Sequence, residues 1–151
     1  MTDLAQLELD LINAIGAAPS VAAIEEVRVA ALGKSGQITE LMKGMAALSV
    51  EEKKTRGAAI NQAKQAIEAA LSERRQQLAE KTRPLKRALE KTEQRMQALG
   101  AEQATIEQRL ATALPPADIA EAGRRLKAVG DELATLEDEW LRLSGEIEAI
   151  E

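Results

Sequence analysis

The chain has 151 residues and a formal charge of −5, with no Cys, His, Phe or Tyr and with Trp140 as its single aromatic residue. That inventory excludes Ser–His and Cys–His nucleophile pairs, ordinary zinc sites and any disulfide framework. Its 29 alanines and 19 leucines, together with abundant Glu, Lys, Arg and Gln, describe long helices packed in pairs. No apolar run reaches the length of a membrane span, and Asp3, Glu8 and Asp10 stand where a signal peptide would be basic. The expectation is a soluble, cytoplasmic, all-α chain that is not an enzyme, holds no cofactor or metal, and has no membrane partner.

Thr2 is placed to cap a first helix whose apolar face is Leu4, Leu7, Leu11 and Ile15, ending at Gly16. Residues 16–20 read as a turn. Ser20 then caps a second helix bearing Ile24, Val27, Ala31 and Leu32, and Gly33-Lys34-Ser35-Gly36 breaks it. A short segment with Ile38, Leu41, Met42, Met45 and Leu48 follows. Ser49-Val-Glu-Glu52 is a capping box for a helix carrying Ile60, Ile67, Leu71 and Leu78. Pro84 admits two readings: a helix start with Thr82 as its cap, or an interior position in one helix running from about 50 to 113 with a kink near 80–84. The continuous helix is the reading adopted.

From Leu85 the seam residues alternate steps of four and three through Leu89, Thr92, Met96, Leu99, Gln103, Ile106, Leu110 and Ala113. Leu114-Pro-Pro-Ala-Asp118 is a stiff turn, with Asp118 as the next cap. The same alternation then resumes at Ile119, Ala122, Leu126, Val129, Leu133, Leu136, Trp140, Leu143, Ile147 and Ile150. Two heptad helices of about 30 residues, each about 45 Å long, fold back antiparallel across so short a link. Gln103 reads as a register device and Trp140 as seam packing. The expected fold is therefore two antiparallel helical hairpins (coiled coils) joined through a long shared helix, with domains at 1–80 and 81–151 and a turn at 114–118.

Chemistry is scarce. Gly33-Lys34-Ser35 lacks the glycine five residues earlier that a phosphate-binding loop needs, since Arg28 occupies it. Glu137, Asp138 and Glu139 run along a helix and do not converge as metal or acid–base chemistry requires. Charge is the informative feature. Residues 34–64 hold Lys34, Lys43, Lys53, Lys54, Arg56 and Lys64 against Glu40, Glu51 and Glu52. Residues 74–87 hold Arg74, Arg75, Lys81, Arg83, Lys86 and Arg87 against Glu80 alone, whereas 88–151 carry −7. Such clusters can meet a phosphate backbone, although no aromatic interleaves them to stack a base. A solvated face with i,i+4 partners is the plainer reading of the same pattern.

Two runs of sequence carry resemblances. Val27-Arg-Val-Ala-Ala-Leu-Gly-Lys-Ser-Gly36, Ile38-Thr-Glu-Leu-Met-Lys-Gly44, Ser49-Val-Glu-Glu-Lys-Lys54 and Gly57-Ala-Ala-Ile-Asn-Gln-Ala-Lys64 lie in a stretch, residues 4–78, that resembles the N-terminal arm of the bacterial phenylalanyl-tRNA synthetase alpha subunit. The resemblance implies a helical hairpin that touches tRNA, with Lys34, Lys43, Lys53, Lys54 and Arg56 as phosphate contacts. Lys64 completes the same basic cluster. Past residue 80 the pattern of that family's catalytic domain does not follow. Instead Arg83-Pro-Leu-Lys-Arg87, the heptads, and Leu136-Glu-Asp-Glu-Trp-Leu-Arg-Leu-Ser-Gly-Glu-Ile147 resemble the C-terminal coiled-coil domain of ABC-F family ATPases. Two non-catalytic parts abutting without a linker imply an engineered fusion serving as a monomeric helical scaffold. The alternative they imply is a module that keeps weak tRNA affinity through the 34–64 cluster.

Overall fold

The computed structural model describes residues 3–151, and among them every regular element is a helix. Helix α1 (Leu4–Ala17) begins where the Asp3 carboxylate accepts the Ala5 N–H at 3.1 Å. Thr2, the expected cap, lies outside the described residues. Helix α2 (Val21–Leu32) begins where Ser20 Oγ accepts the Ala23 N–H at 3.1 Å. Helix α3 (Gln37–Lys43) passes into a 3-10 turn, Gly44–Ala47. Helix α4 (Val50–Leu110) spans 61 residues, and Ser49 Oγ accepts the Glu52 N–H at 3.2 Å at its start. Helix α5 (Pro116–Ile150) completes the fold.

The continuous helix holds at Pro84: Thr82 lies buried inside α4, which continues through Pro84 even though proline supplies no N–H to the Glu80 carbonyl. Two expectations at helix ends are corrected. Helix α4 stops at Leu110 and not at 113. There the Thr112 N–H and Oγ1 both donate to the Arg109 carbonyl, at 3.0 and 2.6 Å, closing the end and leaving Ala113 exposed. Asp118, finally, sits in the first turn of α5 and does not precede it. Pro116 opens that helix because its fixed φ suits the first helical position, and the Asp118 carboxylate then favours the positive end of the helix dipole.

The chain forms two compact units, one comprising residues up to Lys81 with Ala149–Glu151, the other Thr82–Glu148. Helix α4 contributes to both. In the first, Leu7, Leu11 and Ile15 of α1, Ile24 and Ala31 of α2, and Ile38 of α3 pack on Ile60, Ile67, Leu71 and Leu78 of α4. The α4 residues are spaced 7, 4 and 7, so they form one stripe. Burying each such aliphatic side chain contributes roughly 1.5–3 kcal/mol. Chain order is reversed across the contact: Ala18 meets Arg74, whereas Met45 lies against Gly57. This unit is an antiparallel hairpin whose incoming limb is broken into α1, α2, α3 and the 3-10 turn.

In the second unit Leu99 and Ile106 of α4 pack on Ala122 and Val129 of α5, flanked by Leu110, Leu126, Leu133 and Leu136. Thr92, Leu99 and Ile106 are buried at seven-residue intervals, as a heptad seam requires. The Thr92 hydroxyl donates to the Ala88 carbonyl at 2.9 Å, so no orphan donor enters the seam. Arg95 reaches Glu132 at 2.9 Å and Arg125 reaches Glu102 at 2.5 Å, again with chain order reversed. Gln103 is half-buried on the seam. Trp140 lies half-buried, and its indole Nε1–H donates to Glu93 at 2.9 Å.

Candidate nucleic-acid interface

The basic residues of 34–64 gather where the incoming limb of the first hairpin turns into α4. Lys34 lies exposed in the tight turn between α2 and α3. Gly36 makes that turn possible: a Cβ there would come within 2.5 Å of the Ala31 carbonyl oxygen. The Lys43 ammonium donates to the Lys34 carbonyl at 3.2 Å and pairs with Glu40 at 3.3 Å, which places two cations side by side. Lys53 and Lys54 stand exposed in the first turn and a half of α4. Arg56 and Lys64 are half-buried and flank Met45 on different sides, the first beside Leu41 and Leu48, the second beside Met42 and Asn61.

Among the described residues Lys34, Lys53, Lys54, Arg56 and Lys64 enter no ion pair, and of these Lys34, Lys53 and Lys54 are exposed. Lys43 differs, because its ammonium is partly neutralised by Glu40 and holds the turn that displays Lys34. The six residues therefore do not share one surface. Lys34 and Lys43 form one group and Lys53 with Lys54 a second, while Arg56 and Lys64 lie on opposite flanks of a methionine.

The second basic stretch divides differently. Arg74 donates to the Ala18 carbonyl and to Gln77, and Arg75 bridges to Glu25 at 3.3 Å. Glu25 also accepts from Arg28, and this hydrogen bond, reinforced by the charges of Arg28 and Arg75, holds its carboxyl below the ordinary carboxylate range. Two of the six cations counted in sequence are thus committed to holding the hairpin together. Lys81, Arg83 and Arg87 are exposed. Among the described residues no group of three or more acidic side chains is arranged to hold a metal ion, and no helix is long and apolar enough to cross a membrane.

Residues 19–89 match the family profile described as aminoacyl tRNA synthetase class II, N-terminal domain, and residues 80–145 match that of the ABC transporter C-terminal domain. Similar curated proteins include three phenylalanine–tRNA ligase alpha subunits. That of Variovorax paradoxus is 62% identical over 80 residues, covering 53% of this chain and 22% of that protein. That of an Acidovorax species is 55% identical over 80 residues, covering 53% and 23%. That of Albidiferax ferrireducens is 72% identical over 57 residues, covering 38% and 16%. The chain spans about a fifth of the length of the curated relatives it matches first. No solved structure matches it.

Proposed function

We propose that the chain is a non-catalytic helical scaffold whose first hairpin serves as a weak tRNA-binding arm. The observation that carries this reading is the exposure of Lys34, Lys53 and Lys54, none of them in an ion pair among the described residues, within the segment similar to a synthetase N-terminal domain. Lys43 shapes the turn, and Arg56 and Lys64 add flanking charge. Binding of this kind releases counterions from the phosphate backbone and discriminates little between sequences. The test is a titration of labelled tRNA at low and moderate salt. Binding weakens steeply with salt, and replacing Lys34, Lys53 and Lys54 together with Ala lowers the salt slope by about 2–3. Absence of binding even at low salt overturns the reading.

The junction favours a second, compatible reading. The two family matches overlap at residues 80–89, inside the uninterrupted helix α4. This supports an engineered fusion in which the outgoing helix of the arm continues as the incoming helix of an ABC-F-type hairpin, the whole being monomeric and cytoplasmic. Helices extend with predictable geometry, which makes such a junction feasible. Light scattering checks the monomer: a mass of 16.3 kDa agrees with it, and twice that mass overturns it.

A further inference from the structure

A groove of about 730 Å³ opens between the 3-10 turn and the start of α4, a size within the range of ligand-binding clefts. Its origin is local. The 3-10 turn lets the chain reverse between α3 and α4, and Leu41, Met45 and Leu48, spaced 4 and 3, come to line one wall. On α4 the facing position is Ala59, whose small side chain leaves the space unfilled. Leu48 belongs neither to the buried core of this unit nor to the apolar side chains packed on it.

The rim of the groove has the opposite sign from the surface around it. Glu40, Glu51 and Glu52 line it against the single cation Arg56. Glu40 pairs with Lys43, while Glu51 and Glu52 enter no ion pair among the described residues. Lys53 and Lys54 do not line it. Helical spacing accounts for this separation, since Glu52, Arg56 and Ala59 follow one stripe and Lys53 and Lys54 turn away from it. Carboxylates at the rim disfavour phosphate. A segment presenting Leu- or Met-sized anchors flanked by Lys or Arg satisfies both the apolar walls and the acidic rim. Met45 adds a flexible, polarizable contact that adapts to varied apolar partners.

We infer that this groove docks a cationic amphipathic helix of a protein partner, on a surface separate from the lysines assigned above to RNA. The test uses the full chain and a fluorescein-labelled Leu/Lys peptide of about 14 residues with one apolar face, against a scrambled peptide of identical composition. The patterned peptide binds saturably. Glu51→Lys with Glu52→Lys weakens it about tenfold. Gly44→Trp, at a groove position where an added Cβ meets nothing within 4 Å, plugs the site and does the same. Thr55→Lys adds a cation to the rim from an exposed helical position and serves if the Trp variant misfolds. With four methionines in the chain, methyl NMR resolves the contact: the Met45 signal shifts on binding and that of Met96 does not. Equal binding of the scrambled peptide overturns the inference, as does indifference both to the Glu51/Glu52 double variant and to Gly44→Trp or its substitute Thr55→Lys. It is also overturned if tRNA, and not the peptide, moves the Met45 signal.

Discussion

Arg74 donates from Nε and Nη2 to the backbone carbonyl of Ala18, at 3.0 and 2.9 Å, across 56 positions of sequence. Ala18 is 4% exposed and precedes Pro19, which offers no N–H to the turn. The guanidinium fork satisfies an acceptor that α1 has finished with and α2 cannot reach.

Replacing Arg74 by Met keeps the aliphatic stem and removes the fork. The orphaned carbonyl lowers the stability of the first hairpin by about 1–3 kcal/mol in urea denaturation followed by circular dichroism. Lys at the same position recovers only part of the loss, because an ammonium cannot present two parallel donors. An unchanged midpoint for Arg74→Met would show that the contact carries no weight.

Gly36 and Gly130 predict effects of opposite sign. A methyl at Gly36 would stand 2.5 Å from the Ala31 carbonyl oxygen and 2.6 Å from its carbon, both backbone atoms that cannot swing aside. Gly36→Ala therefore destabilises by about 2 kcal/mol and disturbs the turn that presents Lys34. A methyl at Gly130, inside α5, meets nothing within 4 Å. Gly130→Ala raises stability by about 0.5–1 kcal/mol through helix propensity and a less flexible unfolded chain. Matched urea titrations of the two variants give the comparison.

Acid should loosen the second unit. Glu102 accepts from Arg125 and Glu132 from Arg95, and these hydrogen bonds, more than the accompanying charge, draw both carboxyls below the ordinary 4.5. Each holds its proton more weakly when folded than when unfolded. Its stabilising share is therefore complete above pH 4.5 and is lost as pH falls through the lower folded value. The side chains are exposed, so the effect is modest and shrinks with salt. A thermal melt series shows a plateau at neutral pH and a decline in acid that Glu102→Gln with Glu132→Gln makes shallower.

Local chemistry made much of this fold readable. The caps at Ser20 and Ser49 depend on atoms three residues away, and the heptad seam needs only the sequential spacing of Leu99, Ile106, Ala122 and Val129. One expectation failed where two local rules competed. At the second turn the preference of Pro116 for the first helical position prevailed over the capping tendency of Asp118. At Pro84 the continuous helix stands as the spacing implied, with Thr82 buried inside α4. Counting charge could not distinguish Arg74 from Lys54, because the carbonyl that engages Arg74 belongs to a distant turn. The acid-rimmed groove escaped notice for the same reason, being formed only when Leu48 and Ala59 are brought to face one another.

The helix through Pro84 makes a further prediction. Pro84→Ala returns an N–H to the Glu80 carbonyl and relieves the ring clash, stabilising α4 by up to about 3 kcal/mol. Hydrogen exchange reads this directly as slower exchange of the amides from residue 85 to 88. Unchanged protection there would contradict it.

Trp140 and its acceptor Glu93 both belong to the unit Thr82–Glu148, and the chain has no other aromatic side chain. Intrinsic fluorescence therefore reports on one hairpin, while far-ultraviolet ellipticity sums the helices of both. A single denaturant titration recorded in both signals separates the two unfolding transitions without any added label. The gap between the two midpoints then measures how far the uninterrupted helix α4 makes one hairpin depend on the other.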